Sequence, residues 1–152
     1  MAEIKQVAAN RKALHDYEIF DRVEAGIALT GTEIKSIRAG NANIREAHAQ
    51  PRDGEMWLYG AHIAAYDAGS YQNHEPTRPR RLLLHKAQIR EWSRAIAERG
   101  LTVVPLSMYL KDGRAKVELG LARGRKQWDK RQAIARRDAE RDMQRALRHG
   151  AR

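Results

Sequence analysis

Two short runs of alternating apolar residues, joined by Asp112-Gly113, constrain this chain more than any other feature. On one side Val104, Leu106, Met108 and Leu110 alternate with polar or small residues. On the other, Ala115, Val117, Leu119 and Leu121 alternate with Lys116, Glu118 and Gly120. A period of two sends successive side chains to opposite faces of a strand, and Asp-Gly suits the tight turn of a two-residue hairpin. The expectation is a β-hairpin with one apolar face and one basic or small face.

The same reasoning extends upstream. Arg52-Asp53-Gly54 predicts a second hairpin, with strands over 43–50 and 55–66. Residues 17–19, continuing through 23–29, supply another strand, in which Gly26 marks a bulge or a close backbone approach. Two helices interrupt the strands. Thr32 is placed to cap a short one through Arg38, with Ile34 and Ile37 inward and Gly40 at its end. Ile89, Trp92 and Ile96 recur at helical spacing over 87–99, and Gly100 is a natural stop. Residues 81–84 read as a buried strand. About six short strands with helices imply a mainly β architecture over residues 13–122. It is an OB-fold-like small antiparallel β-barrel, a common nucleic-acid scaffold, although periodicity alone also permits another α+β barrel. Residues 1–12 read as a flexible basic N-terminal arm.

Charge is the second constraint. The 152 residues hold 29 Lys plus Arg against 19 Asp plus Glu, a net charge of +10. The last segment, 123–152, holds 11 basic and 4 acidic residues, so it carries most of that excess. Its large apolar residues are Trp128, Ile134, Met143 and Leu147, too thin a stripe to offset ~1–2 kcal/mol of backbone entropy per residue. It reads as a basic tail, disordered alone and helical when a partner holds it, with plain solubilisation as the bland alternative. The balance favours a polyanionic partner, nucleic acid before anionic membrane.

Several chemistries are excluded or disfavoured. The chain has no cysteine, hence no disulfide framework or thiolate site. No apolar run approaches the ~20 residues of a membrane span, and the N-terminus lacks a signal-peptide core, so a soluble cytoplasmic protein is expected. Neither a G-x-S-x-G elbow nor a phosphate loop occurs. His62, His74 and His85 are dispersed rather than set at metal-ligand spacing. His74, before Glu75-Pro76, suits a turn. No cofactor and no metal are implied, and an enzyme is the minority reading.

Three basic clusters remain: Arg11-Lys12; Arg78, Arg80 and Arg81; and Arg123, Arg125, Lys126, Lys130 and Arg131 around Gly124 and Trp128. Cations meet phosphates, a glycine lets backbone approach, and an aromatic face stacks on an unpaired base. Each cluster alone also reads as solvated charge. Their order is more specific. NRKALHDY at 10–17, EAGIALTGTEIKSIRAG at 24–40, NHEPTRPRRLLLHK at 73–86 and RGRKQWDKR at 123–131 together closely resemble the SsrA-binding protein (small protein B) family. The resemblance runs from about Asn10 to Arg131.

That resemblance implies an OB-fold barrel that binds the tRNA-like domain of transfer-messenger RNA. It also implies a tail that enters the decoding region and empty messenger channel of a stalled ribosome, as a non-enzymatic partner in trans-translation. Alanyl-tRNA synthetase and the tRNA-delivering elongation factor are further implied partners. Carried over residue by residue, Glu24 is the glutamate that supports RNA binding, with a structural ion pair as its bland alternative. Leu83 and His85 occupy the family's Leu-x-Asn pair; His85 departs from it, and Leu83 also reads as core. Lys35 and Arg38, three apart on the short helix, join Asn10, Arg11, Lys12, Arg78, Arg80 and Arg81 as the expected RNA surface. Gly124, Arg125, Lys126, Trp128, Asp129, Lys130 and Arg131 form the expected ribosome-facing segment. Trp128 stands where members often carry His or Tyr, and its alternative is to pack back on the barrel. The competing readings are a generic OB-fold RNA-binding protein or RNA chaperone, and an RNA-processing enzyme using His62 or His85.

Overall fold

In a computed structural model, which describes residues 3–66, 73–124, 141 and 143, the chain begins with a strand and a short helix, β1 (Ile4–Ala9) and α1 (Arg11–Asp16). There follow β2 (Tyr17–Ile27), α2 (Gly31–Arg38), β3 (Ala42–Asn43), β4 (His48–Arg52), β5 (Glu55–Tyr59) and β6 (His62–Ile63). The last elements are β7 (Arg80–Leu83), α3 (Lys86–Arg99), β8 (Thr102–Lys111) and β9 (Arg114–Gly124). All strand pairings are antiparallel among the described residues. The order β8-β4-β5-β7-β2-β9 returns to β8, so these strands make a closed ring. β1 adds to β8 outside it, and β3 and β6 form a separate small ladder. The mainly β architecture with helices is the one the sequence implies.

Both expected hairpins form. Asp53 and Asp112 take φ of 52° and 50°, followed by Gly54 and Gly113 at 78° and 80°. Positive φ at both central residues matches the right-handed twist of the flanking strands. Inside the ring, Met56, Leu58, Leu82, Val103, Met108, Val117 and Leu119 are buried, with Ile37 of α2 and Ile89 and Trp92 of α3 closing the core. The indole N–H of Trp92 donates to Asp21 Oδ2 at 3.2 Å, which satisfies the donor that burial strands.

The structure corrects several local expectations. Residues 1–12 are not a flexible arm over their described part. β1 pairs with β8 from Ile4↔Lys111 to Ala9↔Ser107, and α1 follows directly. The apolar content of β1 is low because only Val7 and Ala8 pack against the core. The alternation from Val104 to Leu110 does not lie on one face. The register shifts between Pro105 and Ser107, so Met108 and Leu110 face the main core. Val104 and Leu106 instead form a second cluster with Ala122 and Ala13 of α1. A bulge inserts one residue and turns the following side chains to the other face.

The strands expected over 43–50 and 55–66 are each broken. The second breaks at Gly60, whose φ is 78° and where a Cβ would sit 2.9 Å from the Glu46 carbonyl oxygen. The cap of α2 is Thr30 rather than Thr32. Its hydroxyl accepts from the Glu33 amide while Glu33 accepts from the Thr30 amide, a reciprocal capping box. In β2 the bulge lies between Ile19 and Asp21, whereas Gly26 is the close-approach site: a Cβ there would meet Leu83 Cβ at 3.2 Å. β7 is buried on one face only, with Arg80 and Leu82 inward and Arg81 and Leu83 outward.

β9 runs on to Gly124, opposite Tyr17, past the domain boundary drawn after Ala122. Arg125, Lys126, Trp128, Asp129, Lys130 and Arg131 lie outside the described residues, as does most of the expected tail.

Candidate nucleic-acid interface

The outward face of β7 meets the outward face of β2 and β9 at Gly26. Because Gly26 has no side chain, Leu83 lies down against it and remains 47% exposed. Two adjoining clefts share Gly26, Leu83 and Lys116. One, of about 480 Å³, continues past Arg114 to Thr30, Gly31 and Arg38 on α2. The other gathers Glu24, Arg81, His85 and Gln88. The structure therefore brings together five residues expected from sequence: Glu24, Arg38, Arg81, Leu83 and His85. An exposed leucine ringed by Arg and Lys offers apolar contact to a base or ribose and cations to phosphates. His85 precedes α3 in extended conformation, and its ring makes no capping bond.

Glu55 and Glu24 line this surface as its anions, and Glu24 is the one expected from sequence. Tyr109 Oη donates to its Oε2 at 2.5 Å, and Lys111 Nζ reaches Oε1 at 3.4 Å. The Tyr109 hydrogen bond is the main reason its carboxyl sits below the usual range, with Lys111 adding to it against some desolvation. Tyr109 itself is pushed up, first by burial and then by the same carboxylate. Glu24 thus stays ionised within a basic cleft.

Other expected residues go elsewhere. Asn10 is 2% exposed and structural. Its amide donates to the Ile44 and Pro105 carbonyls at 3.2 and 3.0 Å, and its Oδ1 accepts from the Ala13 amide, capping α1. Arg80 is fully buried and cannot reach RNA while the chain is folded. Its guanidinium donates to Glu33 Oε2 and to the carbonyls of Ala61 and Pro76, both at 3.0 Å. Arg78 donates to Glu33 Oε1 at 2.5 Å and keeps about a third of its side chain exposed. Burial alone would raise the Glu33 carboxyl, but Arg78, the Thr30 amide and Arg80 outweigh it and hold it at about 2.

Arg11 and Lys12 lie at α1. Lys12 pairs with Glu46 at 3.6 Å and lines a different cleft beside Arg45 and His48, which shares no lining residue with the Leu83 clefts. Lys35 and Arg38 also part company: Lys35 Nζ lies over the Tyr66 ring at 5.6 Å, while Arg38 reaches the Leu83 cleft.

The sequence reading missed Lys116, Arg114 and Tyr109 as site residues. Lys116 sits at an outward position of the hairpin alternation, which is the signal that points to it. The expected basic strip is thus split into an exposed cleft and a buried knot. His62 and His85 are exposed, and the described residues hold no cluster of His, Cys, Asp or Glu able to bind a metal. No helix among them is long and apolar enough to cross a membrane.

Comparison with known proteins bears on what such a cleft serves. The family model of the SmpB protein matches residues 7–149. The SsrA-binding protein of Roseiflexus sp. (strain RS-1) is 58% identical over 147 residues, covering 96% of this chain and 93% of that one. That of Chloroflexus aggregans is 57% identical over 145 residues, covering 95% and 92%. A solved chain described as "tmRNA-SmpB: a journey to the center of the bacterial ribosome" is 46% identical and superposes with a TM-score of 0.60, covering 81% of this chain and 83% of its own. With the match running from β1 through the basic C-terminal segment, the chain belongs to the SmpB protein family.

Proposed function

We propose that this chain binds the tRNA-like domain of transfer-messenger RNA and delivers it to stalled ribosomes for trans-translation, acting as an RNA-binding partner rather than an enzyme. The observation that carries this reading is the family match over 7–149, whose relatives are named SsrA-binding proteins. The exposed cleft around Leu83 supports it: its cations suit phosphate, and its leucine and carboxylate suit groups that phosphate does not supply. Within it we assign RNA contact to Glu24, Arg38, Arg81, Leu83 and His85. Arg78 is assigned a supporting place at its edge. The segment from Gly124 through Arg131 is assigned to the ribosomal decoding region. Both assignments put the protein in the cytoplasm, where bacterial ribosomes work.

Competition binding at near-physiological salt tests this. Labelled tRNA-like domain is challenged with unlabelled transfer RNA and with a random RNA of equal length. A preference of tenfold or more, about 1.4 kcal/mol, is expected. Equal competition by all three would leave a generic basic RNA binder. A chain ending at Gly124 is expected to keep RNA affinity and lose rescue of stalled ribosomes in a reconstituted translation system. Parallel loss of both would overturn the division of labour between ring and tail.

A further inference from the structure

Glu24 is an odd residue for an RNA surface, because a carboxylate repels phosphate. It can only accept, and on RNA its donors are exocyclic amines, ring imino groups and ribose hydroxyls. Such a contact is directional, so it depends on which way the carboxylate faces. The fold supplies a device for that. Glu24 lies on β2 and Tyr109 on β8, with β9 between them, so Tyr109 Oη reaches Glu24 diagonally across a central strand. The two meet at 2.5 Å on Oε2, while the only other side-chain hydrogen-bond donor to Glu24 among the described residues is Lys111 Nζ, at 3.4 Å from Oε1. One oxygen is held by a short bond from a stiff aromatic side chain. The other is held by a long bond from a flexible ammonium that RNA phosphate can draw away.

The geometry points to Tyr109 as a positioning residue for RNA recognition: its hydroxyl fixes Glu24 Oε2 at the rim of the cleft that Arg81, Leu83 and His85 line, which leaves Oε1, held only by the longer Lys111 contact, as an acceptor for a base or ribose donor. The burial of Tyr109 and its raised phenol keep that hydroxyl a donor throughout the physiological range. Lys111 takes the complementary part, neutralising Glu24 in the free protein and turning to phosphate in the complex. Tyr109 is therefore a specificity determinant that never touches RNA. This rests on the proposed function, since it concerns the same cleft.

A double-mutant cycle tests it, with the full chain, the tRNA-like domain and a random RNA of equal length. Tyr109→Phe keeps the ring and removes the hydroxyl. Expected is a roughly five- to tenfold loss of affinity for the tRNA-like domain, the size of an ordinary hydrogen bond, with random RNA bound as before. In a Glu24→Ala background the same change is expected to cost nothing further. The salt dependence of binding stays unchanged in Tyr109→Phe, whereas Lys111→Met flattens its slope by about one. Thermal unfolding of each variant separates folding from recognition. Equal affinity of Tyr109→Phe and wild type overturns the inference. So does a loss that adds in full to that of Glu24→Ala or falls equally on random RNA, because Tyr109 then acts through general structure. Failure of the wild-type protein to prefer the tRNA-like domain is a different result, and it overturns the functional reading beneath.

Discussion

Glu33 and Glu24 are both glutamates that face two side-chain donors, yet the fold uses them in opposite ways. Glu33 is fully buried at the first turn of α2. It ties that turn to Arg78 and Arg80, and through Arg80 to the carbonyls of Ala61 and Pro76. Glu24 has 38% of its side chain exposed and leans on Tyr109 and Lys111 at the rim of a cleft. The lesson is one of dielectric. A buried carboxylate with both oxygens engaged by cations becomes a fastener that cannot be opened cheaply. An exposed one with a single firm partner keeps an oxygen for something else.

Breaking the buried partner gives the largest expected effect. Glu33→Gln leaves Arg80 as a buried guanidinium without its counter-charge, which costs about 3–5 kcal/mol. Denaturant unfolding followed by tryptophan fluorescence measures it. A loss under about 1 kcal/mol would mean that Arg80 escapes to water, and that the segment from Glu75 to Pro79 is not fastened as the hydrogen bonds indicate.

The neighbours Leu82 and Leu83 carry the same contrast into apolar chemistry. Leu82 is wholly buried and Leu83 is 47% exposed. Leu82→Ala is expected to cost about 2–5 kcal/mol of stability. Leu83→Ala is expected to cost about 0.5 kcal/mol or less, while weakening binding of the tRNA-like domain. Unfolding and RNA-binding assays on both variants check the crossing pattern. Equal stability losses would place Leu83 in the core instead.

Acid pH sharpens the comparison without mutation. The Glu33 carboxyl is lowered from 4.5 to about 2 in the folded chain. A depressed folded value means that the unfolded state binds the proton first. The stability from Glu33 is therefore whole above about pH 4.5 and is lost as pH falls toward about 2. At 1.36 kcal/mol per unit the total is about 3 kcal/mol. The stability gap between wild type and Glu33→Gln should be flat above pH 5 and narrow steadily below pH 4.5. A gap independent of pH down to 2 would refute the charge-based account.

How far this division could be read in advance follows from the same residues. The two Asp-Gly hairpins were legible because turn chemistry is local, and α3 because Ile89, Trp92 and Ile96 keep helical period. The fates of Arg80 and Arg81 were not legible. They are adjacent, and a strand sends one in and one out; which one depends on register against β5, set far away in sequence. One local clue went unread. Thr30-Gly31-Thr32-Glu33 is a capping-box pattern, which places Glu33 in the first turn on the same side as Ile37, where it needs a cationic partner. The bulge in β8 was hidden for the opposite reason, since unbroken alternation from Val104 to Leu110 gives no sign of an inserted residue. The cleft was half legible: family motifs marked Glu24, Leu83 and His85, but Tyr109 joins them only through pairing across β9.

The smallest expected effect is the stability change of Glu24→Ala, and it is the most discriminating. Its ion pair with Lys111 is solvent-exposed at 3.4 Å. Exposed pairs contribute about 0–1 kcal/mol after screening and side-chain entropy. Tyr109 Oη, released, remains close enough to the surface to donate to water. Unfolding stability should therefore fall by less than about 1 kcal/mol, while affinity for the tRNA-like domain falls at least as far as in Tyr109→Phe. A stability loss near that of Glu33→Gln would make Glu24 a second fastener, and the cleft would then lose the acceptor that Tyr109 holds in place for a base or ribose donor.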